Sequence, residues 1–197
     1  SHLDRIAAVN GKVNAITVTL AESALQAADR ADSTAPTGPL HGVPFTIKEN
    51  IDCTGSATTH GLPALAAAMP AADAPVVARM KAAGAIPLGR TNLPEMGLRI
   101  TTDNPLRGRT SNPWNSTRTA GGSSGGEGAA LATGMSPIGL GNDIGGSLRN
   151  PAYCCGIAAL KSTSRPVVSA MPPFCNGNND VRGPSSSWGT NALSMRR

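Results

Sequence analysis

Two glycine-dense segments that carry three serines constrain the fold of this chain more than any other part of its sequence. Residues 121–127 read GGSSGGE and residues 139–147 read GLGNDIGGS, with a short alanine-rich segment between them. Glycine loses more conformational freedom on folding than other residues, so this density is typical of backbone that turns sharply or lies against another group. The sequence therefore predicts that serine side chains lie among closely packed backbone here.

Hydrophobic periodicity predicts alternating helices and strands before about residue 164, and no element after it. Asp73 is the expected N-cap of one helix, with Pro75 just inside it, and Lys48 is expected at the end of a strand. The alternation is typical of an α/β fold, whose sheet need not be purely parallel. The predicted helices span residues 18–32, 73–83, 126–133 and 147–155, and the predicted strands span residues 45–47, 85–89 and 137–141.

The net charge of +5 is concentrated near the end of the sequence, because residues 161–197 carry five Lys or Arg and one Asp or Glu. Aromatic residues make up 3% of the chain, so stacking platforms are few and nucleic-acid binding is not expected. No run approaches the roughly 18 apolar residues of a membrane span. The first ten residues, SHLDRIAAVN, lack an initiator Met and a signal-peptide apolar region, which predicts the middle of a longer, cytoplasmic chain.

The cysteines are expected to be reduced thiols rather than disulfides or metal ligands. Two of them are adjacent, which makes a poor disulfide pair, and their spacing matches no paired CxxC zinc motif. Free cysteine is among the most buried residue types, so partial burial is expected. The four are Cys53, Cys154, Cys155 and Cys175.

Three kinds of site could use the glycine-serine segments. A phosphate-binding loop is disfavoured, because the sequence has no GxxxxGK[ST] and no GxGxxG in the required context. Residues 122–126 match GxSxG with Ser124 at the centre, but that motif requires a later histidine, and His2, His41 and His60 all precede it. This weakens a nucleophile elbow without excluding it. A lysine can also activate a serine if burial lowers its pKa, and Lys48, after an apolar strand, is the candidate base.

Five blocks in order resemble the amidase signature family, whose members cleave amide bonds with a Ser-cisSer-Lys triad. They read HGVPFTIKEN, GRTNLPEMG, SNPWN, GGSSGGEGAA and GLGNDIGGSLRNPAYCCGIAALK, within roughly residues 5–164. The resemblance implies an α/β amidase signature fold, with a mixed β-sheet core covered by helices, and an incomplete one in these 197 residues. Residues 1–164 are interpreted as the N-terminal portion of that domain, and residues 165–197 as a divergent or frameshifted tail without an assigned structure.

The resemblance also implies roles for individual residues. Ser147 corresponds to the acyl-forming nucleophile, Ser123 to the middle serine, which follows a cis peptide bond, and Lys48 to the base. Ser124 is expected to support them through hydrogen bonds. Backbone N–H groups of Ile144, Gly145, Gly146 and Ser147 are expected to form the oxyanion hole, with Asp143 anchoring their loop and Arg149 forming an ion pair or binding a carbonyl nearby.

The function that follows from the resemblance is hydrolysis of a small-molecule carboxylic amide to acid and ammonia or amine, without metal or organic cofactor. An alternative is the A subunit of a glutamyl-tRNA amidotransferase, which acts as a glutamine amidase for companion subunits. A catalytically silent fragment of such an enzyme is the third interpretation. A homodimer of the full-length protein is left open.

Overall fold

Helices and strands alternate along the chain, and the α/β prediction is confirmed. The computed structural model describes residues 1–161 and the backbone of residues 189–194. The helices are α1 (His2–Val13), α2 (Ala21–Asp32), α3 (Pro75–Ala82), α4 (Gly125–Ala132) and α5 (Arg149–Cys155). The strands are β1 (Ile16–Thr19), β2 (Pro44–Lys48), β3 (Ile86–Thr91), β4 (Ile138–Asp143), β5 (Ala158–Ala159) and β6 (Gly189–Ser194), and short 3-10 turns lie at Pro63–Leu65 and Glu95–Gly97.

The strands form one mixed sheet in the order β1-β3-β2-β4-β6-β5. Strand β2 is parallel to both of its neighbours, with Lys48 opposite Thr91 of β3 and Ile47 opposite Leu140 of β4. The outer pairs, β1 with β3, β4 with β6 and β5 with β6, are antiparallel. The carboxyl ends of three parallel strands therefore meet at one edge, where Lys48 is the last residue of the middle strand.

Strand β2 is buried on both faces, and its side chains point alternately into two different environments. Phe45 and Ile47 belong to an apolar cluster that includes Val77 of α3. Thr46 and Lys48 are also buried, and because side chains alternate along a strand, they point to the opposite face. Thr46 contacts Glu127 of α4 on that side. A polar layer therefore lies between the middle of the sheet and α4, and Lys48 belongs to it.

Two of the predicted local features are wrong. The helix predicted from residue 18 begins at Ala21, because Val18 and Thr19 pair with β3 as part of β1. Strand pairing suits these β-branched residues. Asp73 does not cap α3, whose N-cap is Ala74. The Asp73 carboxylate instead accepts hydrogen bonds from the Thr54 N–H and hydroxyl and forms a 2.7 Å ion pair with Lys81.

The structure also contains elements that periodicity does not predict. Helix α1 begins with a capping box, in which Ser1 accepts from the Asp4 N–H and Asp4 binds back to the Ser1 amino group. Strand β6 lies in the segment where the sequence predicts no element. Cys53, Cys154 and Cys155 are free thiols, and Cys175 lies outside the described residues. No helix among the described residues is long and apolar enough to cross a membrane.

Candidate active site

Lys48 is fully buried and joins two other elements through its amine. Its Nζ donates to Ser123 Oγ at 2.6 Å, just before α4, and to Asn142 Oδ1 at 2.7 Å, in β4. The three side chains come from segments far apart in sequence. The parallel pairing of β2 with β4 brings two of them to the same sheet edge. Lys48 therefore has two specific polar partners in a place closed to solvent.

Burial changes the acidity of this amine. Removal from water lowers the pKa of Lys48 to about 7, while a negative charge on Glu127 or Asp143 acts to raise it. An exposed lysine has a pKa of about 10.4 and is almost entirely protonated at neutral pH. Lys48 is thus half neutral near pH 7, and a neutral amine has the lone pair that a base requires.

Ser123 follows a cis peptide bond after Gly122, as the family resemblance implies. The serine is buried, with 2% of its surface exposed. A side chain on Gly122 would collide with the backbone of residues 99–101. The backbone N–H of Gly122 donates to Asn150 Oδ1 at 3.0 Å. Only glycine fits between those backbone atoms. The glycine before Ser123 is thus explained by close packing.

The loop that carries Ser147 is organised by Asp143. Its carboxylate accepts from the N–H groups of Gly146 and Leu148 at 2.8 and 3.1 Å, and from the Arg149 guanidinium in two 3.0 Å bonds. Burial acts to raise the pKa of Asp143, but these hydrogen bonds outweigh burial and hold the pKa well below its usual range. Asp143 is therefore ionised at neutral pH and ties both ends of the turn to β4.

Ser147 lies half-buried at this turn, beside the first glycine-rich segment. Its carbonyl oxygen accepts from the Ser124 N–H at 3.1 Å, so the two serine segments are directly joined. Ser124 is fully buried and its hydroxyl lies 3.5 Å from the Asn142 carbonyl oxygen. Among the described residues, no hydrogen bond joins the hydroxyls of Ser147 and Ser123.

The backbone N–H groups of the turn differ in their availability. The Gly146 N–H is engaged by Asp143 at 2.8 Å, and Gly146 has a φ of 116°, which favours glycine. The N–H groups of Ile144, Gly145 and Ser147 donate to no partner within the part of the chain that the structure describes. Ile144 and Gly145 are exposed. The turn that holds Ser147 therefore carries three backbone donors that have no partner among the described residues.

Sequence reasoning missed two residues that contact or influence Lys48. Asn142 is one, and its signal was a polar side chain directly before Asp143 at the end of a glycine-laced strand. The other is Glu127, the last residue of GGSSGGE, which accepts from Thr46 Oγ1 at 2.7 Å and Thr91 Oγ1 at 2.8 Å. Burial raises the pKa of Glu127 to about 8. A periodic pattern does not reveal which side chain of a buried helix faces a polar layer.

A buried lysine hydrogen-bonded to a cis-linked serine defines a site of the Lys–Ser type. The family model described as Amidase matches residues 1–184. The chain therefore belongs to the amidase family. The match extends past residue 164, where the sequence places a domain boundary; that division and the frameshift interpretation stay predictions.

Curated relatives match most of the chain. An indoleacetamide hydrolase of Bradyrhizobium diazoefficiens is 49% identical over 188 residues, which cover 93% of this chain and 35% of that protein. The A subunit of a glutamyl-tRNA(Gln) amidotransferase from Roseiflexus sp. is 46% identical over 164 residues, which cover 82% and 34%. The chain thus spans about a third of the length of the curated relatives it matches.

Solved structures share the fold. The native peptide amidase from Stenotrophomonas maltophilia has a TM-score of 0.73 and 32% identity, over 79% of this chain and 34% of that one. A 6-aminohexanoate cyclic dimer hydrolase has a TM-score of 0.73 and 39% identity, over 79% and 32%. The predicted amidase signature fold is therefore confirmed.

Proposed function

We propose that the protein containing this chain is an amidase that hydrolyses a carboxylic amide to an acid and ammonia or an amine. The single observation that carries the proposal is the 2.6 Å hydrogen bond between the buried Lys48 amine and the cis-linked Ser123 hydroxyl. A surface lysine beside a serine would be a permanent ammonium donor. A desolvated lysine with a pKa near 7 can accept a proton from that serine.

The first step forms an ester on Ser147. Neutral Lys48 takes the Ser123 hydroxyl proton while Ser123 takes the proton of Ser147. The Ser147 oxygen then attacks the amide carbonyl carbon and forms a tetrahedral intermediate. The hydroxyls of Ser147 and Ser123 must come within hydrogen-bond reach for this transfer.

The intermediate then collapses with loss of the amine. Amines leave poorly unless protonated, so the proton held by Lys48 returns through Ser123 to the leaving nitrogen. The carbon–nitrogen bond breaks, ammonia or an amine departs, and the acyl group remains on Ser147. Water, deprotonated through the same two residues, hydrolyses the ester and restores the Ser147 hydroxyl. No step calls for a metal ion or an organic cofactor.

Backbone donors at the Ser147 turn would stabilise the negative oxygen of the intermediate. The proposed donors are the N–H groups of Ile144, Gly145 and Ser147, which have no partner in the described part of the chain, while the Gly146 N–H donates to Asp143. One such donor is typically worth about 3 kcal/mol in the transition state. The ionised Asp143 supports the hole indirectly, because it fixes the turn from which these donors project.

The test is an assay of the complete encoded protein against aliphatic, aryl and amino-acid amides, including indoleacetamide because of the relative that hydrolyses it. Lys48→Ala, Ser123→Ala and Ser147→Ala should each lower kcat/KM by about 10³-fold or more. Ser136→Ala is the matched control: this buried serine binds the Ile138 carbonyl outside the site, and its loss should leave kcat/KM near the wild-type value. Full activity of Ser147→Ala would refute the assignment.

A second candidate is the glutamine-amidase subunit of a glutamyl-tRNA amidotransferase, favoured by relatives with that name at 39–46% identity. The two candidates share the same chemistry and differ in substrate and partners. Copurification with companion subunits and activity confined to glutamine would favour the amidotransferase. Labelling of Ser147 by a fluorophosphonate probe would argue against a catalytically silent fragment.

A further inference from the structure

Asn142 contacts the reactive amine and has no role in the proposed relay. Its Oδ1 accepts from Lys48 Nζ at 2.7 Å, almost as close as the 2.6 Å contact between Nζ and Ser123 Oγ. Asn142 precedes Asp143 in β4, so a hydrogen-bonded strand holds its backbone. The amine therefore lies between the hydroxyl of Ser123, in the bend before α4, and the amide oxygen of Asn142, in β4.

The contact between Asn142 Oδ1 and Lys48 Nζ matters because of the chemistry of a neutral amine. Such an amine has two N–H donors and one lone pair, and only the lone pair can take a proton from Ser123. An amide oxygen only accepts hydrogen bonds, so it must face an N–H of Lys48. With that N–H fixed, rotation of the amine about its last carbon–nitrogen bond is restricted, and the lone pair can be directed at Ser123.

We propose that Asn142 is a positioning residue, whose side-chain oxygen holds one N–H of neutral Lys48 so that the lone pair faces the Ser123 hydroxyl. The inference rests on the proposed function, since it concerns the base of that relay. An uncharged acceptor suits this role. A carboxylate in the same place would orient the amine equally well but would stabilise the ammonium form, which has no lone pair.

The charged groups around Lys48 define the expected pH effect. Glu127 faces it from α4 and Asp143 from β4, and a negative charge on either group acts to raise the pKa of Lys48. His60, in the loop after β2, has its pKa lowered by burial and further by the charge of Lys48. Replacing Asn142 by aspartate adds one more carboxylate at about 2.7 Å from Nζ. The ammonium form is then favoured over a wider pH range.

The experiment is the pH dependence of kcat/KM for the complete encoded protein, on whichever amide is its best substrate. In wild type the rate should rise with pH through about 7, as Lys48 loses its proton. Asn142→Asp should move this rise to higher pH by about one unit or more, with activity recovered above it. Asn142→Ala should keep KM but lower kcat by about 10-fold at every pH, since the lone pair is no longer directed.

Asn112→Asp is the matched control, because this buried asparagine binds the carbonyl oxygens of Thr119 and Cys154 outside the site. Asn112→Asp should destabilise the protein without changing the pH at which kcat/KM rises. An unmoved rise in Asn142→Asp would overturn the inference. Should that variant fail to fold, a wild-type kcat in Asn142→Ala would overturn it instead. If Lys48→Ala kept its activity, the proposed function itself would fail, so the two failures are distinguishable.

Discussion

Two fully buried carboxyl groups lie near Lys48, and their pKa values are shifted in opposite directions. Asp143 has a pKa well below its usual range, because a guanidinium and three backbone N–H groups donate to it and outweigh its burial. Glu127 has its pKa raised to about 8 by burial, although two threonine hydroxyls donate to it. Donor number and charge therefore contribute to the different ionisation of these carboxyls, together with the deeper burial of Glu127.

Asp143 and Glu127 therefore have different roles in their two regions. Ionised Asp143 anchors the turn that holds Ser147 and requires its charge for that purpose. Glu127 is protonated near pH 7 and is held only by hydroxyls, so it adds little negative charge beside Lys48. A neutral glutamic acid leaves the lysine free to lose its proton. The carboxyl near the proposed base, Lys48, is thus mostly neutral near pH 7, while the carboxyl that anchors the turn of the proposed nucleophile, Ser147, stays charged.

The largest effect is expected from removal of the charged carboxyl. Asp143→Ala would leave several N–H groups without an acceptor and release the Ser147 turn, at a cost of about 3 kcal/mol in the free energy of unfolding. The rate of Ser147 labelling by a fluorophosphonate should fall by about 100-fold, because the turn no longer positions the nucleophile. Denaturant unfolding of the complete protein measures the free energy change, and the kinetics of probe labelling measure the change in rate. A wild-type labelling rate would contradict the role of Asp143.

A smaller and pH-dependent effect is expected from Glu127→Gln. The folded pKa of about 8 lies above the unfolded value of about 4.3, so the folded state binds more protons between these values and wild-type stability falls as pH rises through that window. Glutamine cannot ionise and removes this loss. Relative to wild type, the variant should gain on the order of 2–4 kcal/mol between pH 5 and pH 8, measured by denaturant unfolding. A difference that stays constant with pH would show that Glu127 is ionised throughout.

The smallest effect is expected from Arg149→Ala. Although its guanidinium binds Asp143 twice, 59% of the arginine side chain is exposed, and exposed ion pairs contribute about 0–1 kcal/mol. The pKa of Asp143 should rise but stay below neutrality, because the backbone donors remain. Stability should therefore fall by less than about 1 kcal/mol at pH 7, and by still less at an acidic pH low enough to protonate Asp143, because a neutral carboxyl does not attract the guanidinium. Thermal unfolding at the two pH values tests this.

Much of the site was predictable, and the part that was not has a physical reason. Lys48 and Ser123 could be placed from motif blocks, because each lies where an element ends or begins. The positions of Asn142 and Glu127 depend on how β2, β4 and α4 pack together, which no local pattern records. Strand β1 was mistaken for the start of a helix, because the Ala- and Leu-rich run after it continued the helical spacing. The role of Asp73 was wrong for a similar reason, since its hydrogen bonds with Thr54 depend on tertiary packing that the local sequence does not record.

One close contact in the polar layer links two positions that look independent in the sequence. Gly139 of β4 lies directly against the Glu127 carboxyl, and any side chain at residue 139 would occupy the space of that carboxyl. The glycine and the glutamate therefore have to change together. Among related chains, a larger residue at the position of Gly139 should occur only with a shorter one at the position of Glu127. The close contact therefore predicts that these two positions covary in the sequences of the family.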